Sequence, residues 1–150
     1  INDKMPLHTL ELIKAEFPEL KDLKVALLGV SYLENLGDTR HSPSETLVKE
    51  LHEYWAEVKV HDPYVDIWSE MEDMRVNKDL TKTLEQADVI IFGVGHDEYK
   101  ELDPANIVKA SEKHPLIIDC SNFLTDKKIK EYKKLGCIVK GVGKGHIQNM

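Results

Sequence analysis

Lys24-Val-Ala-Leu-Leu-Gly-Val30 and Asp88-Val-Ile-Ile-Phe-Gly-Val94 are two apolar runs, each entered from a charged residue. A strand with one wet face alternates apolar and polar side chains, whereas a strand covered on both faces does not. Both runs therefore read as strands buried on both faces, which belong to parallel sheets with helices on either side. Pro115-Leu-Ile-Ile-Asp119 and Cys137-Ile-Val-Lys-Gly-Val142 repeat the pattern, and Val58-Lys-Val60, stopped by His61-Asp62-Pro63, adds a short one. Helical segments lie between them. Ser42-Pro43-Ser44-Glu45 opens one, with Ser42 as cap, Pro43 at the first position and Glu45 completing a capping box. Leu47, Val48, Leu51 and Trp55 form its buried stripe. Leu80 to Gln86 is a second helix, with Leu80, Leu84 and Ala87 facing inward. Asp103-Pro104 caps a third with Ile107 and Val108 buried, and Thr125 starts a fourth that Gly136 closes. A leading helix, Met5 to Phe17, keeps Leu7, Leu10, Ile13 and Phe17 near one face, and Pro18 ends it. Residues 64 to 79 read as a loop with a short helix. With right-handed crossovers, the pattern predicts an α/β, doubly wound five-stranded parallel sheet of Rossmann-like order 3-2-1-4-5, preceded by a helix.

Length and composition set the remaining bounds. At 150 residues, 41% hydrophobic and 31% charged, the chain fits one globular domain and not a disordered one. A net charge of −7 spread along the chain argues against a general nucleic-acid surface. No apolar run approaches the roughly 20 residues of a membrane span, and no secretory leader opens the chain. Cys120 and Cys137 make neither a disulfide framework nor, with the histidines, a zinc cluster. A cytoplasmic, reduced protein without a metal is expected. Because the sequence opens at Ile1 and not Met, a processed chain or a piece of something longer is also expected.

Open α/β sheets bind ligands beyond the carboxyl ends of their strands, at the switch point. The loops at those ends gather Tyr32, Asp38, Arg40, Asp62, His96, Asp97, Asn122, Lys144 and His146. A dinucleotide site would need Gly-x-Gly-x-x-Gly after the first strand, but Gly29 is followed by Val30-Ser31-Tyr32-Leu33 in a long loop. The NAD site is therefore expected to be absent from this chain. Asp62-Pro63 reads first as turn chemistry. Gly141-Val-Gly-Lys-Gly-His146 reads equally as an anion cradle or as a glycine-rich tail. Lys127, Lys128, Lys130, Lys133 and Lys134 read as a solvated helix face, and Cys120 as a packed thiol.

Val25-Ala-Leu-Leu-Gly-Val-Ser-Tyr32, followed by Gly37-Asp38-Thr39-Arg40-His41-Ser42-Pro43, resembles the C-terminal, UDP-binding domain of the UDP-glucose/GDP-mannose dehydrogenase family. Ala56-Glu-Val-Lys-Val-His-Asp-Pro63, Ala87-Asp-Val-Ile-Ile-Phe-Gly-Val-Gly-His-Asp-Glu-Tyr99 and the closing Gly-Val-Gly-Lys-Gly-His146 extend the resemblance over nearly the whole chain. The resemblance implies a share in an enzyme that oxidises the C6 alcohol of a nucleotide sugar to a uronate in two steps, with two NAD and a cysteine that forms a covalent intermediate. It places NAD and that cysteine in a preceding N-terminal domain, so no catalytic residue is expected here. Residues 1–18 would end a central connecting helix, and 19–150 would form the nucleotide-sugar domain. Substrate-binding positions carried over by motif are Tyr32, against the nucleotide; Leu33, where a basic residue is usual; and the pair Asp38 and Arg40, as a loop clamp; Lys144 joins them as the charge of the anion-cradle reading. The implied partners are a UDP-sugar, with an N-acetylated one favoured, the N-terminal NAD-binding domain and further copies in a homo-oligomer. The competing expectation is a stand-alone, non-catalytic nucleotide-binding or regulatory module of the same fold.

Overall fold

The structure, a computed structural model, describes residues 4–141. Helix α1 (Met5–Glu16) leads into β1 (Lys24–Leu28), α2 (Pro43–Glu53) and β2 (Glu57–His61). A single 3-10 turn, Ser69–Met71, precedes β3 (Val76–Asn77), α3 (Leu80–Leu84) and β4 (Val89–Phe92). Then come α4 (Asp97–Lys100), α5 (Pro104–Ser111), β5 (Leu116–Asp119), α6 (Asp126–Lys134) and β6 (Val139–Gly141). All strand pairs are parallel, in the order β3-β2-β1-β4-β5-β6.

This is the doubly wound sheet expected from the sequence, with six strands in place of five. The added strand is β3, from the stretch read as loop and short helix. Two residues are too short for a periodicity to show, and pairing with Val60 and His61 creates it. It takes the outer place in the order, so the third, fourth and fifth strands of the sequence reading are β4, β5 and β6. Period-two alternation divides the core between the two faces. Val25, Leu27, Val89 and Ile91 pack under α1 and α2, while Ala26, Leu28, Ile90 and Phe92 pack under α3, α5 and α6.

The Gly-Val pairs that follow both decisive runs have a shared cause. Gly29 has φ +94, a left-handed conformation, and a Cβ there would lie 2.8 Å from Val94 N. A Cβ on Gly93 would lie 2.6 Å from Gly29 O. β1 and β4 therefore part at the switch point with their backbones in contact, and β1 stops at Leu28, short of the expected Val30.

Several local expectations need correction. Ser42 caps α2 by accepting from Ser44 N at 3.2 Å, but the capping box is not closed: Ser42 N donates to Thr39 O, and Glu45 pairs with Lys49. Trp55 is not in the buried stripe. The helix ends at Glu53, Trp55 turns left-handed at φ 65 and is 76% exposed, and Ala56 takes the inward place. Leu80 and Val108 are only half-buried, and α3 ends at Leu84. In α1, Leu10 and Ile13 are buried, Phe17 lies beyond the helix, and Leu7 is 58% exposed. The helix docks on its own domain: Lys140 Nζ reaches Glu16 Oε1 at 3.0 Å and Leu12 O at 3.3 Å, and Thr9 Oγ1 meets Cys120 Sγ at 3.2 Å.

This packing separates two leucine-like positions on one helix. Ile13→Ala should destabilise the protein by about 2–5 kcal/mol, because its cavity cannot refill, while Leu7→Ala should stay within about 0.5 kcal/mol. Urea unfolding midpoints measure both. Equal losses would show that α1 does not lie on the sheet as described.

Candidate functional site

The carboxyl ends of β1, β2 and β4 are fastened to one another by a single buried carboxylate. Asp62, the first residue past β2, is fully buried. Its Oδ2 accepts from Val30 N at 2.9 Å, Ser31 N at 3.2 Å and His96 Nε2 at 3.0 Å, and its Oδ1 accepts from Tyr64 N at 2.8 Å. The last bond is the turn chemistry expected of Asp62-Pro63; the others are not local and no sequence spacing reveals them. Burial pushes the carboxyl up, but the His96 bond and the Val30 and Tyr64 N–H donors outweigh it, leaving Asp62 below the usual carboxylate range. His96 is also fully buried. Its Nδ1 accepts the Asn35 N–H at 2.9 Å, so the ring proton sits on Nε2 and points at Asp62. Beside it, the Tyr99 hydroxyl meets His61 Nδ1 at 2.7 Å and donates to His61 O at 3.0 Å. Burial holds His61 below its ordinary pKa.

This arrangement decides whether the first loop can take a dinucleotide. In that role, N–H groups after β1 face a pyrophosphate and an acid at the end of β2 meets a ribose. Here the Val30 and Ser31 N–H groups already face Asp62, and that acid is spent on them. The residues present do not fit NAD.

Over these strand ends lies an open cleft of about 600 Å³. Its walls come from the start of α1 (Met5), the loop after β1 (Tyr32, Leu33, Glu34), the start of α2 (Ser44) and the ends of β4 and β5 (Val94, Ser121). Tyr32 and Leu33 thus line one cleft at the switch point. Asp38 and Arg40 do not line it. They form a surface pair, with Arg40 Nε on Asp38 Oδ1 at 3.0 Å and an Arg40 terminal nitrogen on Oδ2 at 2.8 Å. Side-chain and backbone bonds from Arg40 hold the Asp38 carboxyl at about 2. The Tyr32 N–H donates to Asp38 O at 2.7 Å and closes the loop above them. Lys144 and His146, with the glycine-rich tail, lie outside the described residues. Cys120 edges the cleft, but burial raises its thiol to about 12, with Thr9 in contact, so it is a packed thiol. Of the lysine-rich helix face, Lys128 bends back to cap Leu102 O at 3.0 Å. Met5 and Glu34 are cleft residues that the sequence reading did not single out. Met5 comes from a distant helix with no positional signal, and Glu34 was hidden in a loop of ordinary polarity. Among the described residues, no group of three or more His, Cys, Asp or Glu could hold a metal ion.

Comparison with known proteins bears on the same region. Residues 26–126 match the family model for the UDP-glucose/GDP-mannose dehydrogenase family, UDP binding domain. A UDP-N-acetyl-D-mannosamine dehydrogenase of Methanocaldococcus jannaschii is 35% identical over 147 residues, covering 96% of this chain and 33% of that protein. Among solved structures, an NDP-N-acetyl-D-galactosaminuronic acid dehydrogenase from Methanosarcina mazei superposes with a TM-score of 0.86 at 31% identity, covering 95% of this chain and 30% of that one. A UDP-D-ManNAc dehydrogenase from Pyrococcus horikoshii gives 0.76 at 28% identity, covering 96% and 32%. The chain spans about a third of the length of the curated relatives it matches.

The buried groups make stability depend on pH in a definite direction. His61 has a depressed pKa in the fold, so the unfolded chain takes up more protons once the pH drops below its ordinary value, and stability falls. Asp62, also depressed, keeps its contribution until the pH falls below the ordinary carboxylate value. The thermal midpoint should be level above about pH 7, decline below about 6.5 and drop more steeply below about 4. His61→Asn should flatten the first decline and spare the second. A parent midpoint that does not move between about pH 7 and 5 would contradict the buried, uncharged His61.

Proposed function

The chain belongs to the UDP-glucose/GDP-mannose dehydrogenase family, and on that premise we propose that it is the nucleotide-sugar-holding part of an NAD-dependent UDP-sugar 6-dehydrogenase. In this reading the whole protein oxidises a C6 alcohol to a uronate. Residues 19–150 supply the nucleotide-sugar domain, and residues 1–18 end the connecting helix that leads into it. The observation that carries the reading is the cleft at the β1–β4 switch point, walled by Tyr32 and Leu33 within the matched segment. The M. jannaschii and M. mazei relatives are named for N-acetylated sugars, which favours a UDP-N-acetylhexosamine as substrate.

The chain's own chemistry supports a binding role, not a chemical one. A cysteine acts as a nucleophile in its thiolate form, and burial raises Cys120 to about 12 and Cys137 to about 11. The first loop does not fit NAD, so the reading assigns the cofactor and the oxidation to an N-terminal domain with which this one pairs. When bound there, NAD would accept the hydride. Here, Tyr32 offers a half-buried aromatic face for the nucleobase, Leu33 extends that apolar surface, and the Asp38–Arg40 clamp holds the loop in register. Lys144 is assigned to the diphosphate charge. Assembly as a homo-oligomer and a cytoplasmic location complete the proposal; no helix among the described residues is long and apolar enough to cross a membrane.

Calorimetric titration of the whole protein with UDP tests the reading. Stacking of a base on an aromatic ring is worth about 1–3 kcal/mol, so Tyr32→Ala should weaken UDP binding by roughly five- to a hundredfold with little change in thermal midpoint. Arg40→Ala should weaken it less, through loop disorder. Unchanged UDP affinity in Tyr32→Ala would remove the cleft from the nucleotide's path.

A further inference from the structure

The charge of the cleft restricts which part of a nucleotide can enter it. Among the described residues that line it, Glu34 is the one charged side chain, and it is an acid. Its Oε1 hangs over the Gly95 backbone: a Cβ built on Gly95 would lie 3.4 Å from Glu34 Oε1, and equally from Phe123 Cβ and Ser121 Cβ. Among the described residues that carboxylate has no hydrogen-bond or ion-pair partner, unlike Asp38, Asp62, Asp88 and Asp119, which each accept from at least one neighbour. A carboxylate oxygen beside an otherwise neutral wall repels phosphate and attracts hydroxyl donors.

The rest of the wall suits an uncharged, partly aromatic ligand. Met5, Leu33, Leu36 and Val94 supply apolar surface, and Tyr32 supplies a ring. In a nucleotide the group attached to the base is the ribose, and Glu34 stands two residues beyond Tyr32 on the same loop. The geometry points to a nucleoside subsite in which the Glu34 carboxylate accepts the ribose 2′-hydroxyl, while the diphosphate leaves the cleft towards residues outside its described wall. This inference rests on the nucleotide reading above and makes it more specific. The anionic end of the ligand is held elsewhere, and discrimination between a ribonucleotide and its deoxy form resides here.

The test is a ratio of affinities, which cancels any general effect of removing a charge. Titrations of UDP and 2′-deoxy-UDP are compared in the whole protein, in Glu34→Ala and in Glu34→Gln. The parent should bind UDP roughly tenfold or more tightly than 2′-deoxy-UDP, the size of one charge-assisted hydrogen bond. In Glu34→Ala the two should bind within about twofold of each other, and Glu34→Gln, which keeps a neutral acceptor, should fall between. UDP binding that depends on Tyr32, with a ratio unchanged by Glu34→Ala or near one in the parent, overturns the subsite and leaves the nucleotide reading standing. Failure of the parent to bind either ligand overturns both.

Discussion

A buried carboxylate is the constraint on which this fold's binding edge depends. Asp62 is removed from water at the place where three parallel strands end and their loops diverge. Leaving it there unpaired would cost several kcal/mol, and the structure meets that cost with four donors drawn from three separate loops. The buried Val30 and Ser31 N–H groups would in turn lose their acceptor without it. The loops after β1, β2 and β4 are therefore fixed to one another and not merely to their own strands. His96 passes the constraint on, since its second nitrogen accepts from Asn35 within the loop that carries Tyr32 and Leu33.

The same carboxylate separates this domain from the dinucleotide-binding version of its architecture. Both place backbone N–H groups at the end of β1 and an acid at the end of β2. In one arrangement these groups face outward, to pyrophosphate and ribose. Here they face each other, and the pocket moves outward over them, between the start of α1 and the ends of β4 and β5. A longer first loop is what this needs, because a tight glycine turn would leave no chain to build the new wall. The sheet alone thus says little about the ligand; the direction in which Asp62 points says more.

Legibility in the sequence follows the range of the forces involved. Gly29 and Gly93 sit in runs whose burial, strand period and close approach agree, so β1 and β4 could be read directly, and with them the parallel sheet. The caps at Ser42, Asp103 and Thr125 are contacts between residues two or three apart and were equally plain. β3 was not, since its two residues become a strand only by pairing with β2. Trp55 misled because helical spacing continues on paper past the point where the backbone turns left-handed. At the site, Tyr32, Asp62 and His96 could each be placed at a strand end and Leu33 through the family motif, whereas the bond between Asp62 and His96, 34 residues apart, forms only through topology. The role of Met5 could not be read at all, because it depends on where α1 docks.

Two contacts of very different weight bear on the loop after β1, the Asp38–Arg40 pair within it and the Asp62–His96 hydrogen bond beneath it. Asp38 and Arg40 have good bidentate geometry but stand in solvent, where charges are screened and side-chain ordering offsets the attraction. Asp62 and His96 are both fully buried, and each hydrogen bond to the carboxylate there is worth about 1.5–3 kcal/mol. The inner pair therefore determines where the loop sits, and the outer pair only trims it. This ranking inverts the one that motif spacing suggests, in which Gly37-Asp38-Thr39-Arg40 stands out and His96 does not. It also explains how the loop can carry Leu33 where the family resemblance implies a basic residue. Its position does not depend on a charge at that residue, so the side chain facing the cleft is free to vary with the ligand.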